Sequence, residues 1–234
     1  RPSHALIEVV AELEGLPLPW SVLVDTILPA RIQNFEPTAL DQLSATGHLV
    51  WIGRGALNAR DGRIALYRRE RVASLFEPAE DSQPVSEAHT AVLEHLEARG
   101  ASFAFELEAS IKAVAPEIQA SGIDALLWQL VWDGLVTNDT FQPLLSLRRS
   151  GPRRRARELT TGRWSLVSGL TDNTSETVRA IARAEMLLTR YGLVSRETVN
   201  AERLPGGFAL MSRTLSAMED SGKARRGYFV EGLS

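Results

Sequence analysis

The sequence predicts a mainly α-helical chain with small β-hairpins, an α+β fold laid out as a tandem array of three winged-helix units. Three observations carry this expectation. The pattern Leu-x-x-(Leu or Met)-x-x-x-Gly occurs at Leu40/Leu43/Gly47, at Leu127/Leu130/Gly134 and at Leu215/Met218/Gly222, at intervals of 87 and 88 residues. Two segments of helical periodicity precede each copy. Extended runs broken by a turn follow it. Self-similarity at a fixed period marks one supersecondary unit written several times.

Taken in order, the first helix of each unit is expected at His4 to Glu14, Glu87 to Arg99 and Thr177 to Tyr191, closed by Gly15, Gly100 and Gly192. A shorter second helix is expected at Trp20 to Leu28, Phe105 to Ala113 and Ser195 to Glu202. The repeated motif is the third helix. Its apolar residues stand three or four apart on one face, and its glycine sits where a left-handed residue ends a helix. After Gly47 the extended runs His48 to Gly53, Leu57 to Gly62 and Arg63 to Arg68 read as a wing with Asp61-Gly62 at the turn. After Gly134 the two strands are expected at Leu135 to Asn138 and Leu144 to Arg148, and after Gly222 a hairpin opens at Lys223 to Val230. Helix, turn, helix, loop, helix and a two-stranded wing is the winged-helix plan. The expected boundaries are 1–78 for unit 1, 79–149 for unit 2, 150–162 for a basic linker and 163–234 for a unit 3 that stops as its wing starts. Gly162 to Leu170, with Trp164, is expected to pack as a strand against a neighbouring unit.

Composition bounds the function. With 44% hydrophobic residues the chain has enough apolar surface for ordinary cores, and no apolar run approaches the roughly 20 residues that cross a bilayer. Cysteine is absent, which removes disulfides, thiolate metal sites and cysteine nucleophiles and fits a cytoplasmic location. Arginine makes up 24 of the 26 basic residues, a bias that suggests a GC-rich bacterial source. The chain begins at Arg1 without a signal peptide and reads as a piece of a longer protein. The net charge of -3 conceals an asymmetry: -1 over residues 1–78, -7 over 79–149 and +5 over 150–234. A phosphate-facing surface is therefore expected in the last third.

Several segments resemble one family. Gly162-Arg-Trp-Ser-Leu-Val167, Leu187-Leu-Thr-Arg-Tyr-Gly192, Pro205-Gly-Gly-Phe208 and Arg225-Arg-Gly-Tyr-Phe-Val-Glu-Gly-Leu233, with Gly15-Leu-Pro-Leu-Pro19 and Leu28-Pro-Ala-Arg31, resemble the C-terminal region of the Lhr, or large helicase-related, family. The middle unit matches mainly through the repeat. The resemblance implies a non-motor part of a superfamily 2 enzyme that couples ATP hydrolysis to 3′-to-5′ movement on single-stranded DNA and unwinds DNA or RNA:DNA duplexes in DNA repair. It also implies upstream motor domains that use ATP and Mg2+, homo-oligomer assembly through the C-terminal region, and no cofactor in this segment. The expected partners are single-stranded DNA or an RNA:DNA hybrid, further copies of the chain and the helicase core, with no membrane.

No P-loop is present, and Gly53-Arg-Gly-Ala-Leu-Asn58 reads as a wing turn rather than a dinucleotide fingerprint. His4, His48, His89 and His95 do not cluster in a metal-ligand pattern, and no Gly-x-Ser-x-Gly elbow occurs. The expected nucleic-acid residues are Arg153, Arg154, Arg155 and Arg157 in the linker, Arg213 on the third unit's last helix, and Lys223, Arg225, Arg226 and Tyr228 at its wing. A solvated linker is the plainer reading of the arginine run. Core packing is the plainer reading of Trp51, Trp128 and Trp132. Two alternatives stand beside the binding module: a winged-helix uracil-DNA glycosylase, for which Asp61, Asp139 and Asp172 are available carboxylates, and a transcription regulator.

Overall fold

A computed structural model describes residues 2–78, 86–118, 120–148, 161–171 and 174–227. It divides the chain into two compact bodies, 1–172 and 173–234.

The first body opens with α1 (Pro2–Leu13), whose Leu6, Val9, Val10 and Leu13 follow helical spacing and are all buried. The prolines of Gly15-Leu-Pro-Leu-Pro19 hold the next stretch extended, and β1 (Leu18–Pro19) pairs antiparallel with a later strand. The following helix, α2, runs from Trp20–Val22 through a π-helical turn at Leu23–Ile27 into Leu28–Arg31. Pro29 offers no N–H to a regular helical ladder, and the wide turn lies directly before it. Then come α3 (Thr38–Ala45), β2 (Leu49–Asn58) and β3 (Asp61–Arg68). The sheet order is β1-β3-β2, the arrangement of a winged helix. The hairpin turn is Ala59-Arg60 rather than the expected Asp61-Gly62, because the Asn58 side chain accepts the Arg60 N–H at 2.8 Å and closes the loop two residues earlier. A 3-10 turn (Arg69–Arg71) and α4 (Val72–Leu75) complete this unit.

The middle unit repeats that order with one insertion. α5 (Glu87–Arg99), α6 (Ala104–Val114) and α7 (Ala120–Trp132) lead into β4 (Val136–Asn138). The partner of β4 is β5 (Trp164–Leu166), and Ser102, between α5 and α6, bridges to Trp164. First strand, last strand and middle strand again lie side by side in that order. The strand expected at Leu144 to Arg148 is instead a helix, α8 (Gln142–Leu147), carried inside the wing. Its register is set by burial: Pro143, Leu144, Ser146 and Leu147 are buried together, a pattern that alternation along a strand does not produce. The segment around Trp164 is a strand, as expected, but it belongs to the first body. The third unit thus starts at 173 rather than 163.

Phe141 and α8 explain why the first two units form one body. The Phe141 ring lies 5.9 Å from Trp20 and 6.2 Å from Trp51, and all three residues are fully buried. Trp20 donates its indole N–H to the Leu144 carbonyl and Trp51 donates to the Thr140 carbonyl, each at 2.9 Å. These are the two conditions a buried tryptophan needs, apolar contact and a partner for its N–H.

In the second body α9 (Glu176–Tyr191) is capped by Ser175, α10 (Arg196–Ala201) by the reciprocal Ser195/Thr198 pair, and α11 (Gly207–Asp220) follows. Its core is small: Ala180, Ala184, Leu187, Val199, Met211 and Met218. Arg183 is buried against Glu176 at 2.8 Å, and Arg190 pairs with Glu202, whose carboxylate also accepts the Tyr191 hydroxyl at 2.5 Å. That bond to Glu202 raises the phenol above its ordinary value. The wing expected from Lys223 is described only to residue 227.

The repeated glycine has one physical role in all three units. Gly47, Gly134 and Gly222 have φ of 73°, 72° and 74°, and the residue after each returns its N–H to Leu43, Leu130 or Met218, the last apolar residue of its motif, at 2.9, 3.0 and 2.8 Å. This is the Schellman closure of a helix, which a side chain with a Cβ adopts only under strain.

Burial between α6 and α7 pushes the Asp124 carboxyl up to about 6, and Glu108 adds to the shift. The folded chain then holds this proton more tightly than the unfolded chain. The associated stability is present below pH ~4 and is lost as pH rises through about 6. Asp124→Asn is expected to match the parent in thermal unfolding near pH 4 and to melt higher above pH 6. A constant difference across that range would refute the assignment.

Candidate nucleic-acid interface

A winged helix meets nucleic acid with its third helix and its wing, so the three third helices, α3, α7 and α11, decide where an interface is available. Two are partly covered from within the first body. On α3, the carboxylate of Asp41 accepts the Phe141 N–H at 2.6 Å and a second bond from the Gln142 amide. On α7, Val131 and Trp132 meet the first wing so closely that a Cβ on Gly53 would lie 2.0 Å from the Val131 carbonyl oxygen. A Cβ on Gly62 would lie 2.5 Å from the Trp132 ring. Trp128 stacks on Trp132 at 5.1 Å and meets Trp164 edge-on at 6.3 Å. These tryptophans are packing residues. Gly53 and Gly62, read from sequence as turn residues, are strand positions where a neighbouring helix needs the space.

The third helix of the second body is different. Along α11 only Met211 and Met218 are buried, and a cleft lies on either side. One, about 330 Å3, has Arg213 and Lys223 with Glu176, Thr177 and Thr214 over an apolar floor that includes Leu210. The other, about 660 Å3, has Leu193, Val194, Phe208 and Leu215 with Arg225 and Arg226 at its edge. Arg213, Lys223, Arg225 and Arg226 are all exposed. Arg213 and Lys223 thus share one cleft and Arg225 and Arg226 the other. Arg226 lies back on the helix, its guanidinium 3.1 Å from the Ser216 hydroxyl and 3.6 Å from Glu219. Arg153, Arg154, Arg155, Arg157 and Tyr228 lie outside the described residues.

Sequence reading missed Arg196, whose guanidinium sits 4.8 Å above the Phe208 ring beside the larger cleft. The two belong to different helices, and no local pattern links them. Each histidine makes a local contact: His4 with Glu8, His48 with Thr46, His89 with Ser86 and Gln129, His95 with Ser102 and Ser110. Among the described residues no group of three His, Cys, Asp or Glu is placed to hold a metal ion, and no helix is long and apolar enough to cross a membrane.

Two family models match the chain, each described as a winged-helix domain of the large helicase-related protein. The family's third such domain covers residues 1–69 and its fourth covers 173–234. The chain is 36% identical to the Lhr helicase/uracil glycosylase of Escherichia coli K12 over 97% of its length. It is 32% identical, again over 97%, to a protein of Mycolicibacterium smegmatis named Lhr helicase/probable uracil glycosylase. This chain belongs to the C-terminal region of the Lhr family. It spans 16% of the length of each of these relatives. The Lhr models match the two outer units. The middle one, with its bridge at Ser102 and its helix-bearing wing, shares the first unit's order of helices and strands and contributes to the first body through packing.

Proposed function

We propose that this segment is the non-motor nucleic-acid-binding and assembly module of an Lhr-type ATP-dependent 3′-to-5′ DNA helicase acting in DNA repair in the cytoplasm, with motor domains elsewhere in the protein using ATP and Mg2+. The carrying observation is that, among the described residues, α11 buries only Met211 and Met218 and has cations on both flanks. The ligand of choice is single-stranded DNA or an RNA:DNA hybrid, bound by the second body through Arg213, Lys223, Arg225 and Arg226. The basic run Arg153, Arg154, Arg155 and Arg157 and the ring of Tyr228 add to it. Homo-oligomer assembly is assigned to the acidic middle unit, which carries -7 over residues 79–149, rather than to this end.

The test is anisotropy of a labelled oligothymidylate at two salt concentrations, with light scattering of the same samples. The triple variant Arg213→Ala/Lys223→Ala/Arg225→Ala is expected to bind at least tenfold more weakly at low salt. The slope of log affinity against log salt should be shallower by about 2, at roughly 0.7 per lost phosphate contact on single strands. A parent chain that ignores the oligonucleotide at low salt sinks the proposal.

The names of the two relatives favour a second reading, release of uracil from DNA. Such chemistry needs a carboxylate or amide free to position water at a flipped base. Asp61 instead holds the Ser21 N–H and hydroxyl at 3.1 and 2.6 Å, and Asp139 holds Arg163. Asp172 lies outside the described residues. Uracil release by this segment would put the second reading first.

A further inference from the structure

The first wing changes character abruptly along its length. Its stem is buried at Trp51, Ile52, Ile64, Ala65 and Leu66, whereas Ala56 to Arg60 are exposed without interruption and Arg63 is exposed on the returning strand. Leu57 stands in this tip with 40% of its surface in water. The stem is held rigidly. Gly53 and Gly62 lie against Val131 and Trp132, β1 pairs along the outer edge of β3, and two register shifts between Gly53 and Asn58 twist the projecting strand.

Charge at the tip is one-sided. The carboxylate of Asp61, the acid nearest in sequence, is turned inward to the start of α2, where it accepts from Ser21 and from the Gly62 N–H. Among the described residues neither Arg60 nor Arg63 makes an ion pair. Since side chains alternate across a strand, Arg63 lies on the face opposite Gly62, away from Trp132.

We infer that the first body touches nucleic acid through this wing tip, with Arg60 and Arg63 on the phosphates of a strand and Leu57 against its sugars and base edges. The inference rests on the reading of the module as a nucleic-acid binder, and adds to it a second contact, in a different body from α11. A rigid ribbon ending in two unpaired guanidinium groups and one apolar side chain suits a polyanion with apolar faces. The third helices of the same body, α3 and α7, are partly taken up by contacts within it.

The experiment uses the 234-residue chain and a labelled oligothymidylate of about 20 nucleotides, titrated at several salt concentrations. Arg60→Ala/Arg63→Ala is expected to lower affinity about three- to tenfold at low salt and to flatten the salt slope by about 1.4, two contacts at 0.7 each. Leu57→Ser is expected to weaken binding with the slope unchanged. Exposed Arg99, on α5, serves as the control for net charge, and Arg99→Ala should leave the slope alone. Thermal unfolding of all variants should match the parent, since every altered side chain is in solvent. If the α11 variants lose binding while Arg60→Ala/Arg63→Ala keeps parental affinity and slope, the wing contact is wrong and the module's function stands. If Arg99→Ala flattens the slope as much as the wing variant does, the wing contact is also wrong. A parent chain that does not bind overturns both.

Discussion

Phe141→Ala is expected to cost the first body about 3–5 kcal/mol, the range for deleting a buried aromatic ring from a core that relaxes only in part. The ring is fully buried and fills the space between Trp20 and Trp51, which come from different elements of the first unit. Its backbone N–H is also held by Asp41. Its removal leaves both tryptophans facing a cavity at the junction of the two units. Urea unfolding followed by tryptophan fluorescence measures the loss directly, since the reporters line the cavity. A change below about 1 kcal/mol would mean that the two units are joined by something other than this plug, and the account of α3 as covered would fall with it.

Glu14→Ala is expected to cost about 3 kcal/mol. Glu14 is fully buried after α1, where its carboxylate accepts the Arg68 backbone N–H at 2.8 Å and the Arg68 guanidinium at 2.8 and 3.3 Å, with Arg71 at 3.8 Å. Removing one partner of a buried pair leaves the other charge uncompensated, typically worth about 3–5 kcal/mol; here both arginines keep some contact with water, which places the expectation at the low end. Glu14→Gln, which keeps an acceptor for the Arg68 N–H, should recover part of the loss. Chemical denaturation of the two variants side by side is the check, and equal losses would show that the backbone bond contributes nothing.

Of the candidate interface, the helix was legible from sequence and the availability was not. Arg213 on the last helix and Lys223, Arg225 and Arg226 after it could be nominated because they follow a repeated motif of known geometry. That they sort into two clefts depends on which way α11 is rolled against α9 and α10. Arg60 and Arg63 could not be singled out, since in sequence they flank Asp61 and look neutralised. Only the hydrogen bonds from Ser21 show that this carboxylate is occupied elsewhere.

The sequence by itself determined the units. Periodic apolar residues and a glycine at a left-handed cap act within one turn of chain, so the three Schellman closures and the helices that end in them follow from neighbours in sequence. Tertiary structure alone decided how the units are used. The segment 142–147 became a helix because Leu144 and Leu147 are both buried, with the Leu144 carbonyl taking the Trp20 N–H, and β4 took its partner from residue 164 onward rather than from 144. Burial between segments more than a hundred residues apart outweighs the weak local preference of a six-residue stretch, and packing within the first body likewise partly covers α3 and α7.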